Sequence, residues 1–307
     1  METPLTPMEF ARRARRLYAD REAVVDGDLR LTYAQFFERC DRWSSALQSF
    51  GVAQGDRVAY IAPNTHAQLA SFYAVPQIGA IVVPINYRLI PDDFAYIINH
   101  SGARVVCVHS DYLDAVEGIR DQLPNVSHFV ALEGRKEGWI DYEATIAASA
   151  PTFTPVEIAE TDLISINYTS GTTARPKGVM ITHRNATLNV LNTLAHHHLS
   201  PADRYLWTLP MFHANGWTFV WIATARGMSH ICLRRVEART IFELIRAERV
   251  SMFCAAPTVL IAIASAPADV RAEAPRGVRL FTAGAPPAAA TIERIEGELG
   301  WEITHVY

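Results

Sequence analysis

Short apolar segments alternate with amphipathic segments of helical length along almost the whole chain. The apolar segments predict strands at residues 57–61, 105–109, 163–168, 204–209, 230–233, 252–255, 279–282 and 303–307. The segments between them predict helices at 65–78, 112–122, 186–198, 241–248, 259–265 and 289–299. This alternation is typical of parallel sheets with helices on both faces. The number of strands suits an α/β fold with two doubly wound, mostly parallel sheets.

Composition and charge make several classes of partner improbable. The chain has 307 residues, of which 50% are hydrophobic and 20% are charged, as in ordinary globular proteins. Its formal net charge of -4 offers no basic surface for nucleic acid. No apolar run reaches the roughly 18 residues of a membrane span, so we predict a cytoplasmic protein. The basic cluster at residues 12–16 has acidic neighbours and predicts a solvated helix face, with a transit peptide as the weaker alternative.

The cysteines and a run of histidines do not predict a metal site. Cys40, Cys107, Cys232 and Cys254 are far apart and form no CxxC pair, so we interpret them as reduced core thiols. Residues 196–198 are three consecutive histidines. On a helix they would point about 100° apart and could not converge on one ion.

The residues from Thr169 to Gly178 form the strongest candidate for chemistry. They read Thr-Ser-Gly-Thr-Thr-Ala-Arg-Pro-Lys-Gly and lie between the strand at 163–168 and a helix that begins near His183. Small side chains let backbone N–H groups approach an anion, and hydroxyls donate further hydrogen bonds. Lys177 adds a positive charge and is one of only two lysines, against 26 arginines. A polar surface turn is the simpler alternative, but this ordered string favours a phosphate site.

Spacing excludes two better-known loops. A Walker A loop requires glycine directly before its lysine and a hydroxyl residue after it, whereas Lys177 is preceded by proline and followed by glycine. A nucleophile elbow requires glycine two residues before and after its serine, but Ser170 has Tyr168 and Thr172 there.

The string resembles the signature loop of the adenylate-forming superfamily, which includes acyl-CoA synthetases, peptide-synthetase adenylation domains and beetle luciferases. The family pattern is Thr-Ser-Gly-Thr-Thr-Gly-x-Pro-Lys-Gly, and the chain departs from it only at Ala174. If that position needs positive φ, alanine introduces strain of about 1 kcal/mol. The resemblance implies that Thr169, Ser170, Gly171, Thr172, Thr173 and Lys177 hold the nucleotide phosphates.

Further motifs agree with this resemblance along nearly the whole chain. Residues 31–35, 55–58 and 79–86 resemble scaffold segments of the family. Residues 210–217, Pro-Met-Phe-His-Ala-Asn-Gly-Trp, resemble the motif whose histidine lies at the acyl pocket. The resemblance therefore implies that His213, Asn215, Gly216, Trp217 and Val306 bind the substrate, with His213, Lys177 and Thr169 as catalytic residues. No aspartate stands there for a substrate amine, which favours a simple carboxylic acid over an amino acid.

Two segments near the end resemble the adenine site. Residues 282–287, Thr-Ala-Gly-Ala-Pro-Pro, resemble the turn that lies along the base. His305-Val306-Tyr307 resembles the beginning of the Tyr-Gly-x-Thr-Glu motif, whose aromatic ring stacks on adenine. The resemblance implies that Gly284, Ala285, Pro286, His305 and Tyr307 contact the nucleotide.

The family's reaction defines what we expect of the chain. The carboxylate attacks the α-phosphorus of ATP and expels pyrophosphate, and coenzyme A then takes the acyl group. ATP, Mg²⁺ and CoA are therefore the expected cofactors. The resemblance places the Mg²⁺ carboxylate, the hinge and the mobile C-terminal domain beyond Tyr307. We expect a partial N-terminal AMP-binding domain, with residues 1–52 and 204–307 in one lobe and 53–203 in the other, and little adenylation by residues 1–307 alone.

Three functions remain open from the sequence. An acid:CoA ligase acting on a fatty or other apolar acid is favoured, because residues 212–217 resemble medium-chain acyl-CoA ligases. A module that loads a carrier protein would use the same ATP site. A non-catalytic nucleotide-binding relative is the third alternative, and its support is Ala174. The chain length of the acid and a homodimeric state stay open.

Overall fold

Two seven-stranded sheets form the framework of the described residues, 3–169 and 175–306, in the computed structural model. In chain order the strands are β1 (Glu22–Asp26), β2 (Leu29–Thr32), β3 (Arg57–Ile61), β4 (Ile81–Ile85), β5 (Ala103–Val108), β6 (His128–Ala131), β7 (Ile140–Asp141), β8 (Leu163–Thr169), β9 (Lys177–Thr182), β10 (Arg204–Leu206), β11 (Ser229–Ile231), β12 (Met252–Cys254), β13 (Arg279–Thr282) and β14 (Glu302–His305). One sheet has the order β14-β13-β12-β10-β11-β1-β2, and the other has the order β7-β6-β5-β3-β4-β8-β9. All pairs are parallel except β1 with β2 and β8 with β9.

Helices cover the sheets. They are α1 (Met8–Leu17), α2 (Tyr33–Ser49), α3 (His66–Ala74), α4 (Pro91–Ser101), α5 (Leu113–Glu117), α6 (Tyr142–Ala148), α7 (His183–His196), α8 (Phe219–Arg226), α9 (Ala238–Ala247), α10 (Pro257–Ala264), α11 (Ala268–Arg271) and α12 (Ala289–Glu293). A π-helical segment, Arg294–Leu299, continues α12, and short 3-10 turns lie at Pro76–Ile78, Ser110–Tyr112 and Arg120–Gln122.

Local chemistry sets several helix ends. Thr32 and Thr182 begin α2 and α7 with capping boxes, in which each threonine hydroxyl accepts from the backbone N–H three residues later. Pro91 occupies the first turn of α4, and Gly102 ends that helix in the left-handed conformation. The cap at Thr182 allows α7 to start directly after β9.

The predicted fold class is confirmed, but the sequence missed several elements. Strands β1, β2, β4, β6, β7 and β9 were absent from the prediction. The helix predicted at 112–122 is broken into short turns, because its segment contains Gly118 and lacks a continuous apolar face. The helix predicted at 186–198 begins at His183, because Thr182 caps it there.

One hydrophobic core joins the two sheets. Its largest cluster contains Val24 of β1, Val58 of β3, Val105 of β5 and Tyr205 of β10, together with buried faces of α2, α3 and α8. Buried aromatic side chains also bond across it. Trp43 donates from Nε1 to the Tyr60 hydroxyl at 2.7 Å, and the Tyr33 hydroxyl donates to the Met228 carbonyl at 2.6 Å. Shared packing of this kind holds the strand ends of both sheets in fixed positions.

The strands divide between the sheets by sequence position. The strands within residues 22–32 and 204–305 form one sheet, and those within 57–182 form the other. The lobe boundaries at residues 52 and 203 stay a prediction. All four cysteines are buried and free, and burial raises the pKa of the Cys254 thiol to about 12. Among the described residues, no helix has both the length and the apolar character that a bilayer crossing requires.

A partly buried ionic cluster joins α3 to the ends of β1 and β11. Asp26 accepts hydrogen bonds from the backbone and Nδ1 of His66, at 3.0 and 2.8 Å, and from Arg234 at 3.0 Å. Arg234 also donates to Glu133 at 2.7 Å, and His66 Nε2 lies 3.1 Å from Glu143. Oxygen and nitrogen atoms of Asp26, His66 and Glu133 lie within 4.8 Å of one another. Because the Arg234 guanidinium already joins both carboxylates, we interpret this group as an ion-pair cluster.

The pKa values in this cluster predict how stability depends on pH. Burial opposes the charge on His66, but hydrogen bonds to Asp26 and Glu143 outweigh burial and raise its pKa. Burial also opposes the charges of the carboxylates, yet their partners lower the pKa of Asp26, and that of Glu143 to about 2. The histidine contribution is present below its unfolded pKa and is lost as pH rises. The carboxylate contribution is present above their unfolded pKa values and is lost as pH falls.

We therefore expect the cluster to stabilise the fold most between about pH 5 and 6.5. The difference in unfolding free energy between wild type and His66→Gln should be largest in that window and smaller at pH 8. Urea unfolding at several pH values measures it. His198→Gln, at an exposed histidine, is the control and should leave the profile unchanged. An equal loss at pH 5.5 and pH 8 for His66→Gln would show that the histidine charge plays no part.

Candidate active site

The predicted phosphate segment lies in a β-hairpin. Thr169 ends β8 and Lys177 begins β9, and these two residues are paired across the antiparallel ladder. Ser170, Gly171, Thr172, Thr173 and Ala174 lie outside the described residues. We expected a helix to begin near His183, and α7 begins at that residue, after the six residues of β9. The side chains of Thr169 and Lys177 are both exposed at the loop end of the hairpin.

Helix α4 supports the hairpin from one side. The Tyr96 hydroxyl donates to the Pro176 carbonyl at 3.3 Å, and the Arg175 guanidinium lies 5.1 Å from the centre of the Tyr96 ring. Gly178 passes close to β8, because a Cβ there would lie 2.9 Å from Ile166 Cγ2. The hairpin is therefore closely packed next to its loop, and contacts with α4 and β8 support the strand that Lys177 begins.

A left-handed turn follows His213. Ala214, Asn215, Gly216, Trp217 and Thr218 have φ values of 40°, 47°, 56°, 53° and 67°. Left-handed backbone costs about 1–2 kcal/mol for a residue with a side chain, although asparagine tolerates it better. Five such residues in succession require strong support from their surroundings. Strained backbone of this kind occurs most often at functional sites.

The residues of the turn differ in their exposure and in the groups they contact. Trp217 and Ala214 face a cavity, and the side chain of His213 is exposed directly before the turn. Gly216 is buried, and a Cβ there would lie 2.4 Å from Cζ3 of the Trp207 ring. Asn215 is also buried, and its side-chain amide donates to Ser165 at 2.7 Å. We expected Asn215 to form the pocket wall, but it is not among the described residues that line the cavity, and its side chain bonds β8 instead.

The ends of β13 and β14 form the opposite side. His305 pairs with Thr282, and the Val306 N–H donates to the Thr282 carbonyl at 2.8 Å. Beyond β13, Gly284, Ala285 and Pro286 are exposed, and Gly284 has φ +87° with no atom within 4 Å of its Cβ position. Tyr307 lies outside the described residues. The predicted adenine turn is thus an open stretch of backbone without bulky side chains.

A cavity of about 780 Å³ lies between these elements. It is lined by Asn189, Asn192, Thr193, His196, His197, Ala214, Trp217, Thr218, Phe219, Cys254, Phe281, Ala283, Thr304, His305 and Val306. Trp217, His305 and Val306 were predicted site residues. Gly284, Ala285, Pro286, His213 and Lys177 lie outside this lining. The cavity thus joins the predicted acyl and adenine motifs, and the phosphate hairpin is described only in part.

The polar wall on α7 was missed from the sequence. Asn189, Asn192, Thr193 and His196 follow the i, i+3, i+4, i+7 spacing of one helix face, which was the available signal. Phe219 and Phe281, whose rings lie 6.3 Å apart, line the same cavity. His197 contacts Phe281 edge-on at 4.5 Å, and partial burial lowers its pKa, with His196 and Arg279 adding to the effect. The cavity lining therefore combines amides and hydroxyls with aromatic rings.

The fold and the sequence place the chain in a known protein family. The family model described as AMP-binding enzyme matches residues 10–307, and the chain belongs to that family. Among its relatives, the trans-cinnamate:CoA ligase of Petunia hybrida is 36% identical, over 99% of this chain and 57% of its own length. The 4-hydroxybutyrate–CoA ligase 2 of Metallosphaera sedula is 37% identical, over the same shares of each chain.

Solved structures agree with the fold. The anthranilate CoA ligase AuaEII in complex with anthranoyl-AMP has a TM-score of 0.90 at 25% identity, over 99% of this chain and 60% of its own. The N-terminal domain of FACL13 from Mycobacterium tuberculosis has a TM-score of 0.88 at 29% identity, over 98% of this chain and 75% of its own. The chain spans little more than half the length of the curated relatives it matches.

Proposed function

We propose that this chain supplies the ATP and acid sites of an AMP-forming acid:CoA ligase. The observation that carries the proposal is the meeting of the left-handed turn with the ends of β13 and β14 around one cavity. Relatives with the same fold are CoA ligases for trans-cinnamate and 4-hydroxybutyrate. Ligands of open parallel sheets usually bind beyond the carboxyl ends of the strands, where this cavity lies.

The described residues suggest how the work is divided. Thr169 and Lys177 would hold the β- and γ-phosphates at the hairpin, where a compact ammonium can neutralise charge on the departing pyrophosphate. The backbone at Gly284 and the side chain of His305 would receive the adenine, and Val306 would contact the acid. Positioning of the carboxylate against the α-phosphorus is the main contribution such a site makes to the first step. CoA and Mg²⁺ remain part of the proposal as the acyl acceptor and the ion bound to ATP.

The cavity walls suggest the class of acid. Trp217, Phe219 and Phe281 offer apolar surface for a fatty or aromatic acid. The amides of Asn189 and Asn192 favour an acid that also carries a hydrogen-bonding group besides its carboxylate. The amino-acid substrates of peptide synthetases carry an amine, which an acidic side chain of the site binds. The described residues that line this cavity include no carboxylate.

A direct test uses the full-length protein with ATP, Mg²⁺, CoA and a panel of acids, because little adenylation is expected of residues 1–307 alone. We expect acid-dependent release of AMP and pyrophosphate together with a CoA thioester, which mass spectrometry detects. The panel should pair benzoate with anthranilate, and butanoate with 4-hydroxybutyrate, to test the amide wall. Thioester on a carrier protein but none on CoA would favour the loading module. Calorimetry that shows no heat with ATP or AMP would favour a non-catalytic relative.

A further inference from the structure

Three buried polar side chains form a closed ring behind the left-handed turn. Ser165 and Asn167 project from alternate positions of β8, and Asn215 belongs to the turn. Asn215 Nδ2 donates to Ser165 Oγ at 2.7 Å, and Ser165 Oγ donates to Asn167 Oδ1 at 3.1 Å. Asn167 Nδ2 donates to Asn215 Oδ1 at 3.0 Å and also to the Phe212 carbonyl at 3.0 Å. Each of the three side chains thus both donates and accepts within the ring.

The ring occupies a place where polar groups are costly. Ser165, Asn167 and Asn215 are at least 95% buried. Buried amides are tolerated when their hydrogen bonds are satisfied, and removal of one partner leaves the others unpaired. Such a ring therefore has one favourable arrangement, and it resists displacement of any of its members.

The ring joins the two parts of the site that must act together. Asn167 lies two residues before Thr169, where β8 opens into the phosphate hairpin. Its two bonds reach Phe212 and Asn215, which flank His213. Trp217, two residues beyond Asn215, lines the cavity. The same amide therefore ties the segment that leads to the cavity lining to the strand that continues into the hairpin.

The strain of the turn shows why such support is needed. Ala214, Trp217 and Thr218 hold left-handed conformations that their side chains disfavour. Without an anchor, this segment would relax towards ordinary φ values and carry Trp217 with it. The bonds from Asn167 to the Phe212 carbonyl and to the Asn215 amide hold the segment at both ends of His213.

We propose that Asn167 is a positioning residue, which holds the left-handed turn at a fixed distance from the phosphate hairpin and so aligns the acid with the nucleotide. It acts through Phe212 and Asn215, because its own side chain is buried behind the turn. This inference rests on the proposed function. Its specific consequence is that the acid half of the site depends on Asn167, while the nucleotide half does not.

The test compares two probes by calorimetry, AMP and 5′-O-(N-benzoylsulfamoyl)adenosine, a stable analogue of an acyl-adenylate. Asn167→Asp keeps the size of the side chain, but it removes both donors and places a carboxylate against the Phe212 carbonyl. We expect its affinity for the acyl analogue to fall about tenfold, which matches the loss of one to two buried hydrogen bonds. Its affinity for AMP should stay within about threefold of wild type.

A second variant keeps the test valid if Asn167→Asp folds poorly. Asn215→Gly removes the amide, and glycine adopts positive φ without strain. We expect the same selective loss for the acyl analogue, and the double variant should lose little more than either single variant because both break one ring. Ser44→Ala is the matched control, since its hydroxyl bonds the buried carbonyls of Cys40 and Ala74 away from the cavity.

Each outcome decides a separate point. Wild type that bound neither probe would remove the proposed function and, with it, the positioning role. Wild type that bound the acyl analogue no more tightly than AMP would remove the cavity as the acid site, and the inference with it. Wild type that bound the acyl analogue more tightly, with Asn167→Asp and Asn215→Gly keeping the same ratio of affinities, would overturn the inference and leave the function intact. Equal loss for both probes, with Ser44→Ala also affected, would assign Asn167 to general stability.

Discussion

Replacement of Lys177 by alanine should weaken ATP binding about 100-fold and leave AMP binding nearly unchanged. Lys177 stands opposite Thr169 at the hairpin, where the proposed site holds the β- and γ-phosphates. AMP lacks these phosphates, so the lysine charge has little to neutralise when AMP binds. Calorimetry with ATP and AMP separates the two effects, and adenylation by the full-length protein with saturating acid should fall in parallel with the loss of ATP affinity.

The chain contains its own control for this prediction. Lys136 is the other lysine, and its ammonium lies 2.6 Å from the exposed carboxylate of Asp114, away from the cavity. An exposed pair of this kind contributes little to stability. Lys136→Ala should therefore bind both nucleotides as wild type does. If Lys177→Ala lost AMP and ATP affinity to the same extent, Lys177 would not bind the β- and γ-phosphates.

Replacement of Gly216 by alanine should destabilise the fold by about 3 kcal/mol and abolish binding in the cavity. The added Cβ would lie 2.4 Å from Cζ3 of Trp207, and the backbone at φ +56° disfavours any side chain. The Trp207 ring cannot easily move, because it lies nearly coplanar with His230 and donates from Nε1 to His230 Nδ1 at 3.2 Å. Tyr205 also packs edge-on against it at 4.8 Å.

Thermal unfolding measures this effect. We expect the melting temperature of Gly216→Ala to fall by about 5 °C or more, as a loss of this size implies for a chain of this length. Gly297→Ala is the matched control, because its added Cβ would meet no atom within 4 Å and its φ is not positive. That variant should melt at or slightly above the wild-type temperature. If the Gly216→Ala protein had the same melting temperature as wild type, the Trp207 ring would be able to move aside.

The sequence predicted the framework because periodicity and spacing are local properties. Runs such as 57–61 and 279–282 predicted strands, and the structure has β3 and β13 over the same residues. Six strands were missed, and β9 is an example: its six residues pair with β8 although Val179 and Met180 are exposed. Pairing with a neighbouring strand, rather than an apolar run, decides that this segment is extended.

The site was predicted unevenly for a related reason. The motif at residues 210–217 was found from its residue types, and Trp217 lines the cavity. The positions of Asn215 and Gly216 behind the turn depend on five left-handed residues in succession, which sequence patterns do not indicate. Contacts over a sequence separation of 48 or 50 residues, from Asn215 to Asn167 and Ser165, were equally beyond reach.

The sequence by itself determined the α/β class, the family resemblance, and the positions of the phosphate and acyl motifs along the chain, because each depends on residue types within a few positions of one another. Only the tertiary structure decided that Asn167 and Asn215 meet, that α7 lines the cavity with amides, and that Gly216 lies against Trp207. These facts arise when distant segments share one packed core. Packing between segments obeys volume, direction and hydrogen-bond satisfaction, and no local pattern records them.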